Sequence, residues 1–251
     1  MISALSWNIR GINSNGAFDK FKHLKRQHNL CFIAIQEPFV NNSKIDRYKR
    51  GLRTHFAFAN CSNKIWIFCD EFLECNIISD TEQQVSGTIK NNDDTITITI
   101  VYAKCDANLR MDLWDDIKNI ATNCHNPWMV IGDFNCILDS DEKEGGNFYN
   151  TFERQRIWKR LDRGLSNQQW VQRFNDTSIT HLVRTRSDHA PLLVSIASTS
   201  NTNTKYFRFL NFWVEEPGFQ EVVKQAWQIP ADGSPMWKFH LKLKNTYKQL
   251  S

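Results

Sequence analysis

Four short stretches of the chain each leave a reactive side chain at the margin of an apolar run. The richest is Trp128-Met129-Val130-Ile131-Gly132-Asp133-Phe134-Asn135, in which the run ends at a glycine and an acid and an amide follow. Asn8 follows Ile2–Trp7 in the segment Trp7-Asn8-Ile9-Arg10-Gly11, and Glu37 follows the run Leu30–Gln36. Asp188 and His189 stand just before the run 190–196. Tyr102 lies near the end of Thr95–Ala103, and Asp162 in Arg160-Leu161-Asp162-Arg163. Carboxylate, amide, imidazole and phenol groups at strand ends suit chemistry on a ligand, because strand ends are rigid and the loops beyond them are open. Each stretch also has a plainer account. Asn and Asp close turns, Glu-Pro ends a strand, and Ser-Asp-His before a proline suits a surface loop. That all of them are turn residues and nothing more is the poorer account of the set.

The elements that must hold these groups can be read from periodicity. Strands are predicted over Ile2–Trp7, Leu30–Gln36, Phe56–Ala59, Ile65–Cys69, Cys75–Ser79, Gln84–Lys90, Thr95–Ala103, Met129–Ile131 and Ala190–Ile196. Asn91-Asn92-Asp93-Asp94 suits a hairpin turn between the sixth and seventh of these. Helical spacing appears over Phe18–His28 and Asp106–Cys124, the latter stopped by Pro127. Strands dominate, with helices between some of them. This predicts an α/β fold of four layers, two mixed sheets faced by helices. Residues 198–204 are a polar linker, which bounds a domain at 1–197. The tail, 205–251, has helical patterns over Phe219–Trp227 and Met236–Leu250 and is too small for a core of its own.

In their order, Trp7-Asn8-Ile9-Arg10-Gly11, Gln36-Glu37-Pro38, Gly132-Asp133-Phe134-Asn135, Arg160-Leu161-Asp162-Arg163 and Ser187-Asp188-His189-Ala190-Pro191 resemble the endonuclease/exonuclease/phosphatase superfamily. The resemblance is nearest to the nuclease domain of plant non-LTR (LINE-type) retrotransposons, and the tail segment Arg208–Trp213 looks like the approach to a reverse transcriptase. It implies a Mg²⁺-dependent phosphodiester hydrolase acting on DNA, with Mn²⁺ as a substitute ion. In that implication Glu37 is the principal metal ligand, a hard oxygen donor, with Asn8 beside it. Asp133 orients the attacking water and helps remove its proton, and Asn135 fixes that geometry and meets substrate. His189 donates to a phosphoryl oxygen, and Asp162 holds His189 and favours its charged form. Tyr102 contacts the phosphate, and Asp188 lies near the leaving group or metal. Arg10 stands where the abasic-site members carry a second acid. It is therefore assigned to substrate rather than to the metal.

One stretch departs from that pattern. Asp133 and Asp162 are 29 residues apart, where the resemblance calls for a longer insert. A helix and strands are expected to be missing between 146 and 156, and their loss predicts a weakened or inactive enzyme, since folding stability is only ~5–15 kcal/mol. The bulk numbers fit an ordinary globular chain: 251 residues, 41% hydrophobic, 23% charged, net charge +4. The tail holds seven Lys/Arg against four Asp/Glu, so the body is close to neutral and any pull on nucleic acid is expected to be local. The seven cysteines fit no zinc spacing and are expected to be reduced and mostly packed. With no signal or membrane-span pattern, the expectation is a monomeric protein of the nucleus or cytoplasm. Two other functions fit the same residues. One is a phosphatase acting on small phosphoesters. The other is a non-catalytic remnant that binds nucleic acid through the basic tail.

Overall fold

The computed structural model describes residues 2–14, 16–91, 94–138, 142–144, 158–185, 187–196, 214, 216–230 and 233–250. The chain divides into two compact units, Met1–Ser200 and Asn201–Ser251. In the first, the elements run β1 (Ile2–Asn8), α1 (Ala17–Gln27), β2 (Phe32–Gln36), a 3-10 turn (Asn42–Lys44), α2 (Ile45–Leu52), β3 (Phe56–Ala59), β4 (Ile65–Cys69), β5 (Glu74–Asp80), β6 (Gln84–Asn91) and β7 (Asp94–Tyr102). There follow α3 (Met111–Asn123), β8 (Trp128–Asp133), β9 (Lys143–Glu144), β10 (Trp158–Lys159), β11 (Asp162–Ser166), α4 (Gln168–Arg173), β12 (Ser178–His181) and β13 (Leu192–Ile196).

Two mixed sheets result. One has six strands in the order β12-β13-β1-β2-β4-β3, and the other has five in the order β11-β8-β7-β6-β5. Each contains a single parallel pair, β1 with β2 and β7 with β8. Alternation along the strands sets the layers. On β1, β2 and β4, the residues Ile2, Ala4, Phe32, Ala34, Ile65 and Ile67 face the second sheet, where they meet Ile96, Ile98, Ile100, Met129 and Ile131. Their neighbours Leu5, Trp7, Ile33, Ile35, Trp66 and Phe68 face outward and are covered by Phe21 and Leu24 of α1 and Tyr48 and Leu52 of α2. Leu113 of α3 covers Val130 and Trp128 on the outer side of the second sheet. Helices, sheet, sheet and helix make the four layers expected.

Several boundaries move for local reasons. α3 starts at Met111 rather than Asp106, because Asp106 Oδ1 accepts from the backbone N–H groups of Asn108 and Leu109 and closes a turn first. β2 starts at Phe32, after Asn29 at φ 49°. The cysteines correct the expectation of seven reduced, mostly packed thiols. Cys69 and Cys75 are joined by a disulfide, and Cys61 and Cys105 are exposed. The turn closed by Leu73 N–H donating to Asp70 carries the chain from one sheet to the other, so two thiols that face the shared core meet across it. The hairpin turn, the linker 198–204, the segment Arg208–Trp213 and the expected loss at 146–156 lie, wholly or in their central part, outside the described residues.

In the second unit, α5 (Phe219–Trp227) and α6 (Pro235–Leu250) form a helical hairpin. Trp227 packs edge-on against Phe239, and Asn245 donates to the Ala226 carbonyl at 2.8 Å. Among the described residues no helix is long and apolar enough to cross a membrane.

Candidate active site

The sheets bring their reactive residues to one end. β1 and β2 are parallel, with Asn8 opposite Gln36, so Asn8 and Glu37 emerge side by side. In the second sheet, Tyr102 is paired with Asp133 and Asp133 with Asp162. These three residues therefore form one row across β7, β8 and β11. The row exists because Gly132 lets β8 lie close to β7. Its φ is 144°, and a Cβ there would sit 2.1 Å from the Val101 carbonyl oxygen. Arg10, Glu37 and Asn135 also have positive φ, between 47° and 50°. Non-glycine residues rarely adopt this backbone, and it turns each chain sharply at the end of its strand.

A line of hydrogen bonds and one longer polar contact joins the two sheets. Asp162 Oδ2 and His189 Nδ1 are 2.8 Å apart, and His189 Nε2 lies 3.7 Å from Asp133 Oδ2. That same oxygen accepts from Asn8 Nδ2 at 3.1 Å, and Asp133 Oδ1 accepts from the Asn135 backbone N–H at 3.0 Å. The Asn135 side-chain amide donates to the Ala103 carbonyl, which anchors its loop. Beside this line, the Tyr102 hydroxyl donates to Glu37 Oε1. Arg10 spans Glu37 Oε2 at 3.4 Å and Asp188 Oδ2 at 3.0 Å. Every residue singled out from sequence thus stands in one cluster. Arg10 touches two acids of the cluster, and Tyr102 donates to Glu37.

Burial tunes these groups. Asp133 is 1% exposed; its carboxyl is pushed above the ordinary value by burial and by the nearby Asp162 charge, against the opposing pull of His189 and its hydrogen bonds. For His189 burial acts to lower the value, but the Asp162 hydrogen bond and the charges of Asp162, Asp133 and Asp188 outweigh it, and the net shift is upward. Tyr102 is raised well above its ordinary range by burial and by its bond to Glu37, so its hydroxyl keeps its proton.

A metal can be tested against the donors present. Asn8 Oδ1 is buried and has no hydrogen-bond partner. A buried amide oxygen left unpaired costs free energy unless something takes it up. With the Glu37 carboxylate beside it, the donors are hard oxygens of the kind Mg²⁺ takes, so they fit. Asp133, Asp162 and His189 also offer ligand atoms within 4.8 Å of one another, close enough to hold a metal ion. In that group His189 Nδ1 is already committed to Asp162, which favours a proton-handling line over a metal cage.

Three positioning residues escaped the sequence reading. Ser187 donates to the Asn8 carbonyl at 2.7 Å and accepts from the His189 N–H at 3.1 Å, tying the histidine loop to β1. Trp7 Nε1 donates to the His189 carbonyl. Arg163 is buried and donates to the Cys136 and Arg160 carbonyls and to Glu142, holding the loop that leaves Asn135. Ser187 lies inside a motif read for its acid and histidine. Trp7 and Arg163 likewise lie inside motifs read for Asn8 and Asp162, and no strand was expected at Arg163.

No protein-family model and no curated protein sequence matches the chain. Solved structures do match. The endonuclease domain of TRAS1, a telomere-specific non-LTR retrotransposon, superimposes with a TM-score of 0.59 at 15% identity, over 80% of this chain and 100% of that one. A 3′ phosphatase from Neisseria bound to a product DNA hairpin gives 0.56 at 12%, over 78% and 100%. An endonuclease/exonuclease/phosphatase family protein from Leptotrichia buccalis gives 0.52 at 12%, over 78% and 100%.

Proposed function

We propose that this chain, which has the fold of the endonuclease/exonuclease/phosphatase proteins, is a Mg²⁺-dependent hydrolase of DNA phosphodiesters of the LINE-retrotransposon kind. The observation that carries the proposal is the line Asp162–His189–Asp133–Asn8, which places an imidazole bonded to one carboxylate beside a second, buried one at the open end of both sheets. The hydrolysis follows from these groups. Asp133, with its raised affinity for a proton, accepts one from a water as the water oxygen attacks phosphorus. Asn8 and the Asn135 backbone N–H fix the direction of the Asp133 oxygens. His189, whose hold on a proton Asp162 strengthens, donates from Nε2 to a non-bridging oxygen as charge builds there. The P–O bond opposite the water then breaks and releases an alkoxide that takes up a proton from solvent, while Asp133 returns the proton it accepted to solvent. Glu37 and Asn8 would hold the metal, which supplies charge neutralisation at the phosphate when bound. Arg10 and Tyr102 face the same space and meet the phosphate backbone.

The shortened stretch after Asp133 does not remove the Asp162 row, since β11 pairs with β8 along five residues. Activity is therefore expected to persist. Nicking of supercoiled plasmid with Mg²⁺ tests this, comparing the chain with Asp133→Ala and His189→Ala. Nicking by the chain that is lost in both variants supports the reading. Equal, background nicking by all three overturns it in favour of a remnant that binds without cutting.

A further inference from the structure

The near-neutral charge of the body conceals a strongly basic face. Residues 17–28 and 42–53, which carry α1 and α2, hold nine Lys/Arg against two acids, Asp19 and Asp46. That is +7 on two short segments of a chain whose total is +4. Both helices pack on the same outer side of the six-stranded sheet, so the charge is gathered on one surface.

Helix stability explains only part of it. Lys25 and Arg26 end α1, and Lys49 and Arg50 end α2, where cations complement the helix dipole. Lys44 and Arg47 are at the start of α2 and Lys20 is early in α1, where the same dipole disfavours them. The ion pairs are also few. Lys22 is bound to Asp19 in an exposed pair of the kind that contributes little, and Lys25 is bound to Asp70. Arg26, Arg50 and Arg53 are exposed and make no ion pair among the described residues.

Between the C-terminal ends of the two helices lies a cleft of about 650 Å³. Lys22, Lys25, Arg26 and Arg53 line it against a single acid, Asp70, and Phe72 stands at its edge, 57% exposed. Glu71 and Glu74 flank Phe72 in the chain but do not line the cleft. The cleft is far from the catalytic cluster. It opens where β2 begins and β4 ends, whereas Glu37 follows the other end of β2, about 16 Å along the strand at ~3.3 Å per residue.

We propose that this face and its cleft form a second nucleic-acid contact that holds a single strand, apart from the catalytic end. The unpaired guanidinium groups of Arg26 and Arg53 at the groove can track a phosphate backbone. An exposed aromatic ring at the groove's edge stacks on an unpaired base, which a duplex does not offer. The contact is independent of the hydrolase reading, because it requires binding and no cleavage.

The test is fluorescence anisotropy of a labelled oligodeoxythymidine, without divalent metal, across a range of salt concentrations. The full chain is compared with the triple variant Arg26→Gln, Arg50→Gln, Arg53→Gln and separately with Phe72→Ala, all at exposed positions and all checked by circular dichroism. Losing three phosphate contacts should raise Kd about tenfold or more and reduce the log–log salt slope by about 2, at ~0.7 per contact on single strands. Phe72→Ala should raise Kd several-fold and leave the salt slope in place. Unchanged Kd and slope in the triple variant overturn the contact. Equal loss on heparin, with Phe72→Ala neutral, overturns single-strand binding in favour of a general polyanion surface. Loss confined to vesicles of phosphatidylserine and phosphatidylcholine overturns it in favour of a membrane surface.

Discussion

The two ends of β2 carry charge in opposite ways. At the end marked by Glu37, the ionisable groups Asp133, Glu37 and His189 are buried and each is hydrogen-bonded across to the other sheet. At the other end the charges are cationic, and Arg26 and Arg53 at the cleft are exposed and without an ion pair among the described residues. Buried charges interact strongly because water screens them little, but each must be paired and aimed. Exposed charges interact weakly one by one and act through their number. The first arrangement suits bond making at a fixed point, and the second suits holding a flexible polyanion.

The largest effect should come from the buried end. Removing the Asp133 carboxylate or the His189 imidazole should slow plasmid nicking by about 10³-fold, roughly 4 kcal/mol of barrier. An equally large loss from Arg26→Gln would break the contrast between the two ends. Next, Gly132→Ala should destabilise the fold by roughly 3 kcal/mol or more in urea unfolding, because the added Cβ is driven into the Val101 carbonyl at φ 144°. A loss below roughly 1 kcal/mol would show that the close approach of β7 and β8 can relax.

A smaller effect sharpens the comparison through pH. The folded pKa of His189 is raised above its ordinary 6.5. Its charged form therefore contributes stability that is fully present below pH 6.5 and is lost as pH rises through the folded value. Asp162→Asn removes the main group that raises it. The histidine titration, followed by NMR, should move to lower pH, and the stability curve above pH 6.5 should flatten. A titration that does not move would mean that Asp133 and Asp188, not Asp162, set the shift. The smallest effect belongs to the basic face. Arg50→Gln should change stability by less than about 0.5 kcal/mol while still lowering the salt dependence of binding.

Much of the framework was legible because it is local. β3 and β4 match their expected ranges residue for residue, and β1, β6 and β8 extend theirs by one to three residues. The runs in β2, β4 and β8 are buried on both faces and leave an uninterrupted apolar signature. Elements with little apolar content were not legible. α2 reads Ile-Asp-Arg-Tyr-Lys-Arg-Gly-Leu, and only Tyr48 and Leu52 are buried. β11 and β12 are edge strands with a single buried residue, Arg163, between them, and they pair with the free edges of β8 and β13. The basic face was missed because net charge sums over the chain and does not show where charge gathers.

The sequence by itself determined which residue types stand at the strand ends, and with them the class of chemistry open to the chain. Only the tertiary structure decided that Tyr102, Asp133 and Asp162 share a row, that Asn8 reaches Asp133 from the other sheet, and that α1 and α2 gather their cations on one surface. The reason is physical. A residue's type and its strand are fixed over a few neighbours. The distance between Asn8 and Asp133, 125 residues apart, is fixed only when two sheets bury their facing sides against each other.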